Sequence, residues 1–498
     1  MECKDLMYRV IIIGAGIVGL SIARVLSRFE NLKITVIDKN PDVGWGVSKA
    51  NTSIIHPCHE EDPDKHPLRT KLCLEGHNIW YKWVRELDIP NRWPGEIIVA
   101  TNEDEYHVLK HYLELARRNN VPGVRIVDGE ELFKLEPSIN RSSIAGLYAP
   151  SAGSIDPVQA CIALAENNVD NGVRFVLGEK VVDIVVKDKH VKEVVTNNNV
   201  YEADIVINAA GLFADEIARM VGINDYIIYP RRGQYILFDK TASPKPDKII
   251  HTTPTPKTKG VYVLKTIEET LLIGPTAEDL SIEEKEANIV TKEGISFILE
   301  NAKKIIEKLP PMNLVIRTFT GIRPEPPNGS YILRFHEEPW GFVEAAGIRS
   351  PGLTAAPAIA YYIKNLISQH IDLKLKKKWI RIRKGIIKIK DLSRIERNNL
   401  IKQNPKYGRI ICQCMGVSEA EILEAINRMR KIGVKETTLD GIKFRTHSMY
   451  GRCQGTFCRP LISLIVSRET GLEPWKVSFK GGNSTYGIGF VKELFMKR

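Results

Sequence analysis

The sequence predicts an α/β protein with three parts: a discontinuous nucleotide-binding unit on a parallel sheet, an α+β unit covering it, and a small, mainly helical C-terminal module. Three observations carry this. Val10 to Gly19 reads V-I-I-I-G-A-G-I-V-G, a buried strand broken by glycine and followed by an amphipathic helix (Ile17, Leu20, Ile22, Val25, Leu26). A second apolar strand, D-I-V-I-N-A-A-G at 204–211, returns to the same sheet. Four of the eight cysteines, Cys412, Cys414, Cys453 and Cys458, fall as two close pairs near the C-terminus.

In the first element, Gly14 permits the tight turn, Gly16 leaves room for a phosphate at the backbone beside Ala15, and Gly19 lets the helix pack on the strand. The free N–H groups of that helix suit a pyrophosphate. Asp38 closes the second strand (T-V-I-D), where a carboxylate with neighbouring Lys39 meets a ribose. This is a Rossmann-type dinucleotide site, and the motif alone does not separate FAD from NAD. Residues 44–57, G-W-G-V-S-K-A-N-T-S-I-I-H-P, suit a loop that wraps a cofactor through Ser48, Asn51 and Thr52. The bland alternative is a plain surface loop. His56 ends the loop as a proton acceptor or a structural histidine.

At 498 residues the chain exceeds one compact core. Its apolar runs fall short of the roughly 18 residues of a membrane helix, and M-E-C-K-D-L-M lacks the apolar stretch of a signal peptide. A cytoplasmic protein is expected, with peripheral contact at the inner face of a membrane as a further option. The formal charge of +11 suits an acidic substrate, an anionic membrane or nucleic acid. Cys3, Cys58, Cys73 and Cys161 are scattered, so no disulfide framework is expected.

Further along, strands near Glu96–Ala100 and a polar helix over Glu103–Arg118 form an inserted segment. S-A-G-S-I-D-P leads into a helix, and residues 181–196 alternate as a hairpin. Between 225 and 320, P-R-R-G-Q-Y-I-L-F and V-Y-V-L-K-T strands and a hydrophilic helix over 282–309 predict a covering sheet. Residues 374–390 hold nine Lys or Arg and no acid. They read as a solvated linker, or alternatively as a dock for an acidic partner or membrane surface. Nucleic acid is not expected, because no base-stacking platform accompanies them.

Together G-A-G-I-V-G, residues 204–215 and A-A-G-I-R-S-P-G-L-T-A-A-P-A (345–358) resemble the FAD-dependent superfamily of D-amino-acid oxidase, glycine oxidase and glycerol-3-phosphate dehydrogenase. The likeness spans roughly residues 8–366 and is closest to the branch with L-2-hydroxyglutarate oxidase and the anaerobic-type glycerol-3-phosphate dehydrogenase subunit. The resemblance implies FAD, held also by Ala210, Gly211, Gly347, Gly352, Leu353 and Thr354. A helix starting near Thr354 would aim its positive end at the flavin. It further implies a substrate cap and an anion-binding arginine, Arg323 in G-I-R-P, whose fork suits carboxylate or phosphate. Arg317, Arg349, Lys265 and Arg232 are further anion contacts on this reading, with inter-domain salt bridges as the alternative. The C-terminal module, with C-x-C and C-x4-C and a Ser418/Glu421 capping box, resembles the bacterioferritin-associated-ferredoxin-like [2Fe–2S] domain. A closed zinc site is the competing reading.

The expected division is 1–90, 150–225 and 320–370 for the FAD unit, 91–149 and 226–319 for the cap, 371–405 for the basic linker, 406–470 for the [2Fe–2S] module and 471–498 for an extension. The expected activity is a dehydrogenase of a small anionic alcohol, sn-glycerol 3-phosphate first. L-2-hydroxyglutarate or another 2-hydroxy acid comes next, then a sarcosine- or proline-type amino acid. Electrons would leave through the cluster to a partner protein or quinone. An electron-transfer subunit without its own substrate is the reading from a different class.

Overall fold

The computed structural model describes residues 6–255 and 258–487. Among them, two nine-stranded sheets carry the fold. The first runs Val181–Lys187, His190–Thr196, Trp340–Ala346, Ile205–Asn208, Tyr8–Ile13, Leu32–Asp38, Arg174–Leu177. Tyr8–Ile13 lies between two parallel neighbours, with Ile13 opposite both Asn208 and Ile37. Both faces of this strand are covered, which is why it is an unbroken apolar run rather than an alternating one. The ends of three strands therefore bring Gly14, Asp38 and Ala209 to one edge, the place where open parallel sheets bind ligands.

The turn there tolerates only glycine. Gly14 has φ +112°, and a Cβ on it would lie 2.4 Å from the Ala209 carbonyl oxygen. A Cβ on Gly19 would lie 2.0 Å from the Gly14 carbonyl oxygen, so helix Ile17–Leu26 packs on the strand at backbone distance.

The second sheet orders Glu278–Asp279, Tyr229–Phe238, Leu271–Gly274, Tyr262–Lys265, Ile249–Thr252, Glu96–Ala100, Ala145–Ala149, Arg125–Asp128, with Val315–Glu325 paired along Tyr229–Phe238. Helix Glu103–Arg118 forms where expected, capped by Asn102, with acids in its first turn and arginines in its last. The helix expected over 282–309 is instead a short turn, Ile282–Glu284, and a helix Lys292–Ile305. The intervening residues are held by long-range bonds. Lys285 pairs with Asp215 at 2.7 Å, and the Thr291 amide donates to Gln234 at 2.7 Å.

The basic stretch is a linker strapped to the fold like a belt, with Lys374, Lys377, Lys378, Arg381 and Lys384 out in solvent as expected. Leu375 bridges to Phe29, Trp379 donates to Ser27, and Arg383, 6 % exposed, pairs with Glu166 at 2.6 Å. Lys388 and Lys390 pair with Glu268 of the covering sheet.

The C-terminal module holds Ile410–Cys412 and helices Glu419–Ile432, Leu439–Thr446 and Cys458–Thr470. The Ser418/Glu421 capping box is present, and the second helix begins at Leu439, capped by Thr438. Met415, Ile422, Ile426 and Met429 share one continuous core with the flavin-type unit. Arg445 forks onto Asp42 at 2.5 and 2.9 Å, both side chains about 1 % exposed. Removing one partner of a buried pair costs about 3–5 kcal/mol. Arg445→Met is therefore expected to lower unfolding stability by about that amount in urea titration, an effect an exposed pair would not produce.

Candidate active site and cluster site

One cavity of about 1040 Å³ is lined by the glycine turn, the loop around Ser48–His56, Ala210–Gly211 and Ile348–Leu353. On one wall the Ser48 hydroxyl accepts from the Ile17 amide at 3.0 Å, and a Cβ on Gly16 would crowd that hydroxyl at 3.3 Å. The Asp38 carboxylate accepts from the Ala15 and Asn40 amides at 2.7 and 2.8 Å. Its burial raises its pKa against those bonds. Asn51 donates to the Ser48 carbonyl and accepts from the Ser53 amide, which shapes the loop beside Thr52. Lys39 reaches Glu286 at 2.6 Å and lies over the Phe213 ring. A glycine-bounded backbone groove, a helix N-terminus and a carboxylate at the next strand end together fit the pyrophosphate and ribose of FAD.

Two expected contacts play a different part. Gly347 (φ +63°) packs against Pro326 and does not line the cavity. Thr354 is fully buried, and its hydroxyl accepts from the His56 amide at 3.0 Å. Gly352 opens helix Gly352–Ser368 on the cavity wall, and the neighbouring Leu353 carbonyl accepts from Trp80.

His56 also lines the cavity. Its backbone is fixed from both sides, by Thr354 and by His77, whose Nδ1 bonds the His56 carbonyl at 2.9 Å. Its own Nδ1 is buried without a partner, which leaves Nε2 for the cavity. Burial, then the charge of Lys259, pushes its pKa down to about 3, so the ring is neutral and can accept a proton. Lys259 lines the cavity beside it, and behind lie Glu60, Glu61, His59 and Glu96. Lys259 sits 3.2 Å from Glu60 and 2.8 Å from Glu61, and Arg69 adds a pair to Glu61 at 2.7 Å. Burial resists ionisation of both carboxyls, but the Lys259 charge overrides it and holds each at about 2. Glu96, fully buried and facing Glu60, is pushed well up and keeps its proton. A ring nitrogen of His56 and oxygens of Glu60 and Glu96 lie within 4.8 Å of one another. A cation there would compete with the Lys259 ammonium already in place.

The arginines separate. Arg323 lines the cavity, donates to the Thr276 carbonyl at 3.2 Å and has no carboxylate partner among the described residues. Arg349 also lines it, but Glu325 pairs with it at 3.1 Å. Arg232 is paired with Glu278 at 2.7 Å and Lys265 with Asp247 at 3.1 Å, and neither lines the cavity. These two are structural ion pairs. Arg317 lies at the cavity's outer end, on the side of the C-terminal module. The sequence reading missed Lys259 and Tyr262, which line the cavity with His56. The run H-P-C-H-E-E at 56–61 was the available signal, being dense in titratable groups for a loop that folds inward.

The scattered cysteines hold a further correction. Cys58 and Cys73 form a disulfide that ties the His56 loop to helix Pro67–Glu86. The other quartet is free of disulfides. Cys414 and Cys453 sulfurs lie 3.8 Å apart, and Cys412 and Cys458 hydrogen-bond. Backbone N–H groups of Met415, Met449, Gly455 and Phe457 point at these sulfurs. Four convergent thiols with amide donors aimed at them fit an anionic thiolate-held cluster.

Residues 9–366 match the FAD dependent oxidoreductase family, and residues 410–468 match the BFD-like [2Fe-2S] binding domain. The chain belongs to the FAD-dependent oxidoreductase family. Its cofactors are FAD and a [2Fe–2S] cluster. Over 94 % of its length it is 40 % identical to a glycerol 3-phosphate dehydrogenase of Caloramator mitchellensis, covering 95 % of that protein. Over 75 % it is 31 % identical to the glycerol 3-phosphate oxidase of Mycoplasma pneumoniae, covering 97 % of it. The solved structure of the Mycoplasma pneumoniae oxidase with FAD bound matches 76 % of this chain and 98 % of that one at 29 % identity and a TM-score of 0.70. An L-2-hydroxyglutarate dehydrogenase of Arabidopsis thaliana is 25 % identical over 71 % of the chain and 82 % of its own.

Gly19→Val is expected to abolish FAD binding, read as loss of flavin absorbance after reconstitution, because the side chain would enter the Gly14 carbonyl. His56→Asn should slow anaerobic flavin reduction about 10²–10⁴-fold, the range of a lost general base. Because the ring is neutral down to about pH 3, the wild-type rate should show no acidic limb near pH 6.5. A limb there would mean that His56 titrates normally.

Proposed function

We propose that this flavoprotein oxidises sn-glycerol 3-phosphate to dihydroxyacetone phosphate and delivers the electrons through its [2Fe–2S] module to an external acceptor. The observation that carries the reading is an unpaired guanidinium, Arg323, and a neutral imidazole, His56, on one cavity beside the FAD groove. Two relatives, at 40 % and 31 % identity, act on glycerol 3-phosphate by name. When bound, FAD supplies the two-electron acceptor and the cluster a one-electron exit.

The residues divide the remaining work. Arg323 holds the phosphate with a planar fork, fixing which carbon faces the flavin. His56 Nε2 takes the hydroxyl proton as the C–H bond breaks. Burial and the nearby Lys259 charge keep the ring unprotonated at neutral pH, with its lone pair free. Glu60 and Glu61 neutralise that lysine, which keeps the pocket from trapping the anion on Lys259 rather than on Arg323. Trp80 and Thr354 hold the loop and the helix start in register, excluding water behind the imidazole.

A dedicated cluster has a purpose only where dioxygen is not the terminal acceptor, so a dehydrogenase rather than an oxidase is expected. The acceptor is a partner protein or a quinone reached at the cytoplasmic face of a membrane. Among the described residues no helix is long and apolar enough to cross a membrane itself.

Arg323→Ala should raise the concentration of glycerol 3-phosphate needed for flavin bleaching about 10–100-fold, the worth of a charged hydrogen-bonded pair. Arg323→Lys should recover part of it. Equal bleaching by L-2-hydroxyglutarate would transfer the assignment to 2-hydroxy acids. Replacing Cys453 and Cys458 with serine should leave substrate-driven bleaching intact and collapse turnover with the acceptor. One zinc and no iron in the anaerobically purified chain would make the module structural.

A further inference from the structure

The seam between the flavin-type unit and the [2Fe–2S] module concentrates positive charge that, among the described residues, no ion pair neutralises, with Asp440 the acid acting on it. Lys49 comes from the cofactor loop, Arg317 from strand Val315–Glu325, Lys443 from the module's helix Leu439–Thr446 and Lys480 from the C-terminal extension. All four line the same cavity. Four segments distant in sequence thus bring four cations to one wall. Asp440 also lines it, as do Asp156 and Glu268, which His447, Lys388 and Lys390 already engage, and among the described residues no carboxylate makes an ion pair with Lys49, Arg317 or Lys443.

Several other buried cations of the chain are paired. Lys259, Lys285, Arg383 and Arg445 all meet carboxylates within 2.9 Å. The seam differs from these, and Lys443 is its sharpest case. It is 7 % exposed, yet unpaired, and opens onto the cavity. Its ammonium lies 5.3 Å from the Tyr450 ring and 5.9 Å from the Phe444 ring. Lys49 lies 4.8 Å over Trp45, which packs edge-on against Phe444 at 5.3 Å. An aromatic collar therefore holds both ammoniums without quenching their charge. Burial, helped by repulsion from Arg317 and Lys480 and opposed by Asp440, pushes both lysines down to about 8, as expected of cations held without an ion-pair partner.

We propose that Lys49, Arg317 and Lys443, with Lys480 at the rim, form a second anion site that takes a phosphate dianion, separate from Arg323. Four positive charges against Asp440 call for more than one negative charge, which favours a phosphate over a monocarboxylate. The two sites face one another along a single strand. Arg317, Phe319, Gly321 and Arg323 alternate onto one face of Val315–Glu325, so Arg317 and Arg323 are about 20 Å apart at roughly 3.3 Å per residue. A phosphate at the seam is too far to be the group held for reaction at Arg323. It is either free phosphate or a phosphomonoester waiting in the entrance, the latter resting on the activity proposed above.

The test is equilibrium dialysis of radiolabelled inorganic phosphate against the full chain loaded with FAD and cluster. Wild type should keep a phosphate site that survives Arg323→Ala and weakens at least tenfold in Lys443→Met. Lys49→Met and Arg317→Met, nearer the surface, should weaken the same site should Lys443→Met fail to fold. Phosphate binding that disappears with Arg323→Ala and is unchanged in all three seam variants would overturn the proposal. In the Arg323→Ala background, displacement of the label by sn-glycerol 3-phosphate identifies a phosphomonoester site, and no displacement identifies free phosphate. Flavin bleaching by glycerol 3-phosphate is read separately in wild type, so failure of the substrate assignment and failure of the seam site give different results.

Discussion

The buried fork between Asp42 and Arg445 fixes the relation on which the rest of the molecule depends. Asp42 follows the strand that ends at Asp38, so it belongs to the cofactor edge, and Arg445 closes a module helix that starts at Leu439. Two nearly inaccessible charges satisfy one another in a fork geometry that sets the register of the module against the cofactor edge, and losing either partner would strand the other charge in the interior. His447 repeats the principle one residue pair later. Burial alone would strip its proton, but bonds to Asp156 and Glu268 override that and keep it charged. The module is thereby tied to the flavin-type unit through Asp156 and to the covering sheet through Glu268. It shares its apolar core with the first sheet's helices, so the two cofactor sites are parts of one rigid packing problem.

A second constraint acts at the base. An imidazole is useful as a proton acceptor only when it arrives empty, and in water a histidine is partly charged near neutrality. Burial and the lysine beside it keep His56 neutral across the physiological range, which frees its lone pair while lowering its basicity. That lysine would be intolerable alone, so Glu60 and Glu61 accompany it. Glu96 is then left without a cation and retains its proton. Each buried charge in the 56–61 loop follows from the one before it. The Cys58–Cys73 bridge holds the loop in the position this sequence of compensations requires.

What the residues disclosed beforehand follows from how local each feature is. The glycine turn, the Asp38 strand end and the Ser418/Glu421 box are encoded within a few positions, and their geometry is as read. The cysteine quartet was legible because two short spacings suffice to mark it. The pairing of Arg232 with Glu278, of Lys265 with Asp247 and of Arg349 with Glu325 was not, because a sequence shows a cation without showing which acid folds against it. Lys259 was overlooked for the same reason, since its acids lie some two hundred residues earlier. The disulfide was missed because fifteen residues separate two cysteines that only a loop and a helix bring together. The basic belt was legible in part: Lys374, Lys377, Lys378, Arg381 and Lys384 are in solvent as its charge density suggested, whereas Arg383 is buried and Lys388 and Lys390 are answered across the fold.

The belt has an evolutionary corollary. A redox module on a free tether can be cut out, exchanged between proteins or swung between donors. Here the segment that joins it is woven over helix Ile17–Leu26 and the Glu166 helix, then clasped to the covering sheet before the module begins. The graftable unit is consequently not the ferredoxin-like domain but the domain together with its strap and the acids that receive it. A lineage that lost Glu166 or Glu268 would loosen the whole appendage. Gain or loss of this cluster among relatives should therefore track those two acids as closely as it tracks the four cysteines.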